Sequence, residues 1–211
     1  VNQPLTALSN YGQSALILLE RQGGRDSALA EVVGKMLQET RRAAEVVRRL
    51  RDFFRSGTTR LEPMPAAEII AAVRRIGQQV LGEHAIALRV HEDPGLPPLY
   101  VDRTQIEVVI RNLIANAQDA ASAASGPSTI DVKLRRHDED HLCLVFADSG
   151  PGLKMEMRER VFEPFVTGKA SGMGLGLAIS RAIAEAHGGS LSAMAAAHGE
   201  FHLGLPGNQN L

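Results

Sequence analysis

The stretch Gln105–Ala120, QIEVVIRNLIANAQDA, carries two patterns at once. Ile106, Val109, Ile110, Leu113 and Ala117 recur at steps of three and four, the apolar stripe of a helix that packs into a core. Asn112, Asn116 and Asp119 recur at four and three on another face. Asp102 can cap the start, so the spacing predicts a helix from there to about Ala124. Two carboxamides one turn apart on such a helix are costly to bury unless something polar meets them. Their oxygens are hard, neutral ligands suited to a Mg2+ ion that also carries phosphates and water. For this helix taken alone, a solvated polar stripe is the competing reading.

Outward from this helix, helical and strand-like segments mix. A helix is predicted over Pro65–Leu81, followed by β-like runs at AIALRV (85–90) and PLYVD (98–102). TIDVKL (129–134) and LCLVFA (142–147) flank the polar RRHDEDH and read as a hairpin. A helix over LGLAISRAIAEAH (175–187) precedes a last strand pair, SLSAMAAA (190–197) and EFHLGLP (200–206). Adjacent strands favour hairpins over repeated parallel crossovers, which makes the class α+β, a two-layer α/β sandwich.

Upstream the pattern is helical only. Pro4 to about Arg21 forms one amphipathic helix through Leu5, Leu8, Ala15 and Leu19, and QGGRDS (22–27) ends it and starts the next. Leu29, Val33, Met36, Thr40, Ala43, Val47, Leu50 and Phe54 then alternate steps of four and three, a heptad seam. Two antiparallel helices cannot bury such stripes alone, so residues 1–57 are expected to form a four-helix bundle in a homodimer. The arginines of RRAAEVVRRLRDFFR read as the solvated face of the second helix. SGTTRLEPMP (56–65) breaks the pattern. The expected division is a helical hairpin over 1–57, a linker over 58–64 and the sandwich over 65–211.

Composition excludes several classes of function. The 211 residues carry a net charge of -1 and only 4% aromatic residues, which argues against nucleic-acid binding. The one cysteine, Cys143, lies in an apolar run and reads as a buried small hydrophobe. Apolar runs are too short for a membrane span and no signal peptide is visible, so a soluble, cytoplasmic protein is expected.

Two glycine-rich segments complete the chemistry: DSGPG (148–152) after a strand, and SGMGLGL (171–177) before a helix. Open backbone N–H groups at a helix start make the second a phosphate cradle. It has neither the spacing of a dinucleotide fingerprint nor the Lys-Ser or Lys-Thr pair of a P-loop, and a plain turn is the competing reading of either segment alone.

In order, NLIANAQDA, DSGPG, FEPF and GMGLGL resemble the N, first glycine, F and second glycine boxes of the catalytic domain of sensor histidine kinases. HGG (187–189) and the final GEFHLGLP extend the match to roughly 140 residues. The resemblance implies a Bergerat-type ATP-binding sandwich preceded by a dimerising hairpin, with ATP and Mg2+ as cofactors. It implies Asn116 as the principal Mg2+ ligand and Asn112 as its partner near the phosphates, with Asp119 on the same face. Asp148 would accept a hydrogen bond from the adenine amine, an acceptor-only choice that selects adenine over guanine. Gly150 and Gly152 would let the backbone approach the base. Gly172, Gly174, Leu175 and Gly176 would cradle the triphosphate, and Thr167 and Lys169 belong to a short lid, with Lys169 reaching the terminal phosphate. Gly168 stands where many short-lid relatives carry a second Thr. Members of the wider superfamily that hydrolyse ATP carry Glu at the position of Asn112. A carboxamide is no general base, which favours transfer to a protein nucleophile.

The nucleophile is not among the seven histidines. His84, His91, His137, His141, His198 and His202 sit in or beside strands, and His187 suits a helix C-cap. The opening Val1-Asn2-Gln3-Pro4-Leu5 resembles the end of a His-Glu-x-Asn-Gln-Pro-Leu histidine box. The phospho-acceptor is then expected two residues before Val1, with any membrane anchor also upstream. Pro4 would bend the helix beside it. Gln3 stands where relatives with phosphatase activity often carry Thr or Asn. The expected protein is the transmitter of a two-component sensor histidine kinase, passing phosphate from ATP to histidine and on to an aspartate of a response regulator. The chain as it stands is expected to bind ATP without phosphorylating itself. A non-catalytic ATP-binding scaffold, or another ATPase or protein kinase of the superfamily, is the alternative.

Overall fold

A computed structural model describes residues 2–21, 29–38, 40, 59–82, 84–123, 126–168 and 174–207. It divides into two units, Val1–Gly57 and Thr58–Leu211.

In the first unit, α1 is described over Asn2–Arg21, with Pro4 within it. A second helix, α2, is described over 29–38 and at 40. Gly12 is where the two helices come close: a Cβ there would lie 2.6 Å from Leu37 Cδ2. Leu37 is buried, although it lies off the expected seam, whereas Leu29 and Met36 on that seam are 57% and 62% exposed. Of the four described seam positions, Leu29 and Met36 are thus exposed in a single chain, while Val33 and Thr40 are part-buried. The seam beyond Thr40 and the arginine-rich face lie outside the described residues.

In the second unit, β1 (Glu62–Met64) pairs antiparallel with β3 (Leu99–Val101), placing a strand inside the segment expected to be a linker. The main sheet contains β2 (Ala87–Glu92), β4 (Thr129–Arg136), β5 (His141–Asp148), β6 (Ser190–Ala193) and β7 (Gly199–Pro206), in the order β2-β4-β5-β7-β6. Both expected hairpins form. Among the described strands only β2 and β4 pair in parallel, joined by a crossover through β3 and α4 (Arg103–Ser122). One face of the sheet carries the fully buried Ile130, Val132, Leu134, Leu144, Phe146 and Leu203. α3 (Ala66–Leu81), α4 and α5 (Gly176–Ala186) provide the facing layer, α3 beside β2, α4 over β5 and α5 beside β6. The other face is mostly polar, as expected for a mixed sheet covered on one side. Cys143 is buried there between Arg135 and Gly204 in register, and burial pushes its thiol above its ordinary pKa.

Ile106, Val109, Ile110, Leu113 and Ala117 are all buried, the stripe that the spacing predicts. Each such aliphatic side chain contributes about 1.5–3 kcal/mol, Ala117 less. Asp102 caps α4, its Oδ1 accepting from Gln105 N at 3.2 Å. α3 and α4 run parallel and are cross-linked by Glu68 with Arg103, Arg75 with Glu107 at 2.6 Å and Gln79 with Arg111 at 2.9 Å.

His187 follows α5 and is fully buried. Nδ1 donates to Ile183 O at 2.7 Å, the helix-end cap expected of it, and Nε2 accepts from Asp102 N at 2.9 Å. A carbonyl only accepts and an amide N–H only donates, so the neutral ring in one tautomer satisfies both partners. Burial holds its pKa below the ordinary 6.5, opposed by the Ile183 carbonyl and the Asp102 charge. With the folded value lowered, this ring's stabilisation is complete above about pH 6.5 and is lost as pH falls through that value toward the folded one. Thermal unfolding across this range should show the wild-type Tm falling more steeply toward acid than that of His187→Gln.

Candidate functional site

Four segments meet along α4. Halfway along it, Asn112 is part-buried, and its Nδ2 donates to Gly176 O and to Ser180 Oγ, each at 3.3 Å. Because the Gly176 carbonyl can only accept, the NH2 of the carboxamide faces α5 and Oδ1 faces the opposite way. Ser180, fully buried on α5, went unnoticed in the sequence; a hydroxyl one turn past the glycines was its only signal. Asn116 is part-buried and Asp119 exposed further along the same helix.

At the C-terminal end of α4 lies the loop that follows β5. Gly150 approaches the helix so closely that a Cβ would lie 2.7 Å from Ala120 O. Asp148 is 5% exposed, and its Oδ1 accepts from Gly150 N at 2.8 Å, an Asx turn that fixes the carboxylate. Across the sheet Asp148 pairs with Gly199 of β7, where a Cβ would collide with the carboxylate. Gly199 is a site residue that sequence reasoning missed, since only the β5–β7 register reveals it. Gly152, at φ 71°, backs onto His198 O, which a Cβ would approach to 2.9 Å.

The third and fourth segments are the FEPF stretch and the glycines before α5. Phe165 N donates to Gly174 O at 3.0 Å. Phe165 reaches it with φ 69°, a left-handed conformation that costs a non-glycine residue about 1–2 kcal/mol. Gly174 has φ 65°, and a Cβ there would lie 2.5 Å from Val166 O. Leu175 is buried, Gly176 begins α5 and Thr167 is exposed. Lys169 and Gly172 lie outside the described residues, as does the side chain of Gln3.

The structure thus sets Asn112 at mid-α4 against Gly176 at the start of α5, with Gly174 and Leu175 just ahead of it, and packs Gly150, beside Asp148, on the last turns of α4. Among the described residues, no group of three His, Cys, Asp or Glu side chains could hold a metal ion. Oxygen ligands for a cation would come from the carboxamides and from a bound phosphate. The outward Oδ1 of Asn112 fits that chemistry.

Residues 101–208 match the family model for histidine kinase-, DNA gyrase B- and HSP90-like ATPases. The chain belongs to that family. Its second unit is accordingly an ATP-binding domain, and the mixed sheet under one helical layer is its α/β fold. The chain is 35% identical to the C4-dicarboxylate transport sensor protein DctS of Rhodobacter capsulatus, over 91% of this chain and 29% of DctS. It is 32% identical to the sensor protein FixL of Bradyrhizobium diazoefficiens, over 98% of this chain and 41% of FixL. It therefore spans well under half the length of these relatives. The histidine kinase ThkA, solved in complex with the response regulator protein TrrA, superposes with a TM-score of 0.71 at 19% identity. That likeness covers 98% of this chain and 59% of ThkA, and is one of fold. The resemblance to sensor histidine kinases read from the four boxes therefore holds. Among the described residues, no helix is long and apolar enough to cross a membrane.

In this ATPase-family site Gly174→Ala should weaken ATP binding roughly tenfold or more, since Ala must take up left-handed φ and also displace Val166. Titration calorimetry of the variant against wild type checks this.

Proposed function

We propose that this chain is the transmitter portion of a two-component sensor histidine kinase. It binds Mg-ATP and passes the γ-phosphoryl group to a histidine, from which it goes to an aspartate of a response regulator. ThkA's complex with TrrA supports such a partner. Residues 1–57 form the dimerisation hairpin and 58–64 lead into the ATP-binding domain over 65–211. The exposed Leu29 and Met36 support pairing with a second copy, which would bury the rest of the seam. A transmitter acts in the cytoplasm.

The observation that carries the reading is Asn112. A carboxamide whose NH2 is committed to Gly176 O cannot take a proton from water, so the site is built to position a phosphoryl group rather than to hydrolyse it. Asn112 and Asn116 would hold Mg2+, which would draw together the phosphate oxygens and offset their charge. Asp148 fixes the adenine, Gly150 and Gly152 admit it, and the backbone from Gly172 to Gly176 cradles the phosphates. Thr167 and Lys169 would belong to a lid over them, and Asp119 extends the polar face of α4. Gln3 would orient water if the protein also removes phosphate from its partner.

The test is label from γ-labelled ATP, using the chain itself and a chain with His-Glu placed before Val1 to complete the histidine box. Acid-labile, alkali-stable label on the second alone is the expected result. Release of phosphate to water at equal rates from both would favour an ATPase, and ATP binding with neither label nor release would favour a scaffold.

A further inference from the structure

α5 runs antiparallel to the first half of α4 and is tied to it at both of its own ends. At one end Asn112 bonds Gly176 O and Ser180 Oγ; at the other His187 Nε2 accepts from Asp102 N. Ten residues separate Asp102 from Asn112 and eleven separate Gly176 from His187, so the ties stand about 15 Å apart. The first tie lies in the nucleotide site. The second lies far from it and involves no group that the ATP reading uses.

The far tie is also built more tightly. The His187 ring is fully buried, with both nitrogens engaged at 2.7 and 2.9 Å. Its partner Asp102 is fixed in turn, Oδ1 accepting from Gln105 N and Oδ2 from Arg60 N. The N-cap of α4, the C-cap of α5 and the segment ahead of β1 therefore converge on the Asp102–His187 pair. The Asp102 N–H precedes the helix and has no intrahelical acceptor, so His187 supplies what the helix cannot.

We propose that His187 is a positioning residue for the phosphate half of the ATP site: it pins the far end of α5 to α4, and so fixes Gly174–Gly176 against Asn112. The proposal rests on the ATP-binding reading. The adenine half of the site, Asp148 with Gly150 and Gly199, is carried by β5 and β7 and does not depend on this tie. Releasing α5 should therefore weaken contacts to the phosphates and spare those to the base.

Lowered pH offers a second route to the same release. An ionised ring would direct an N–H at the Asp102 N–H. The charged group acting on His187 from α4 is Asp102, and Ile183 of α5 presents only its carbonyl. Protonation of the nucleotide itself is common to all variants and cancels in their comparison.

The experiment is titration calorimetry of adenosine and of Mg-ATP against wild type, His187→Leu and His187→Gln, at pH values from about 7.5 down to about 5.5. The expected result for His187→Leu is Mg-ATP affinity lower by roughly tenfold with adenosine affinity unchanged. In His187→Gln, whose side-chain oxygen can accept from Asp102 N, much of the loss is recovered. The preference of wild type for ATP over adenosine should also fall faster toward acid than that of His187→Gln. Equal loss of both ligands would overturn the proposal by making His187 a stabiliser of the whole domain, as would no loss of either. If His187→Leu does not fold, parallel pH profiles for wild type and His187→Gln would overturn it. Wild type that binds neither ligand would instead refute the ATP reading.

Discussion

Asp148→Asn is expected to lower affinity for ATP by roughly tenfold to a hundredfold, the cost of losing a hydrogen bond to a buried charged acceptor. The direction follows from the turn that holds the side chain. Gly150 N–H donates to Oδ1 at 2.8 Å, so in the variant the amide oxygen takes that place and the NH2 takes the other. A donor then faces the adenine amine, itself a donor, whereas the carbonyl of guanine could accept from it. Loss of ATP affinity should be accompanied by collapse of the preference over GTP. Competition calorimetry with both nucleotides measures this; uniform loss with the preference intact would mean that Asp148 supports the loop without reading the base.

Gly199→Val should have an effect of similar size by a different route. Gly199 opens β7 directly across from Asp148, and any Cβ there occupies the space of the carboxylate. Asp148 or the strand must move, at about 1–3 kcal/mol of stability for overpacking, and ATP affinity should drop by roughly tenfold or more as the carboxylate is displaced. Gly204→Ala in the same strand is the control, since a Cβ there meets nothing nearer than Ser190 Oγ at 3.2 Å and Ser190 O at 3.9 Å. Denaturant unfolding and nucleotide titration of the pair separate the two outcomes. Equal behaviour of Gly199→Val and Gly204→Ala would contradict the assignment of Gly199.

What the sequence shows most clearly is periodic and local. The α4 stripe, its Asp102 cap and both hairpins follow from spacing within a few residues, and the structure places them there. Less legible is whatever depends on residues far apart in the chain. β1 has three residues and no alternation to mark it, and it exists because β3 pairs with it. Gly199 looks like any strand-end glycine until register sets it against Asp148. The sequence places His187 at a helix end, and its Ile183 bond agrees. Its second partner, Asp102, lies 85 residues earlier. In the hairpin, a heptad pattern marks an apolar seam without saying which positions a single chain buries. Gly12 looks like a helix weakness, but it is the point at which Leu37 packs.

The central claim is that this fold holds ATP, with Asp148 at the base and the asparagines of α4 at the phosphates. Calorimetric titration of the chain with ATP in Mg2+ and in chelator, repeated with Asn116→Ala, tests it most directly. The expected result is that ATP binds wild type more tightly with Mg2+ than without, and that Asn116→Ala abolishes the difference while leaving metal-free binding in place. A Mg2+ effect of the same size in Asn116→Ala would contradict the account.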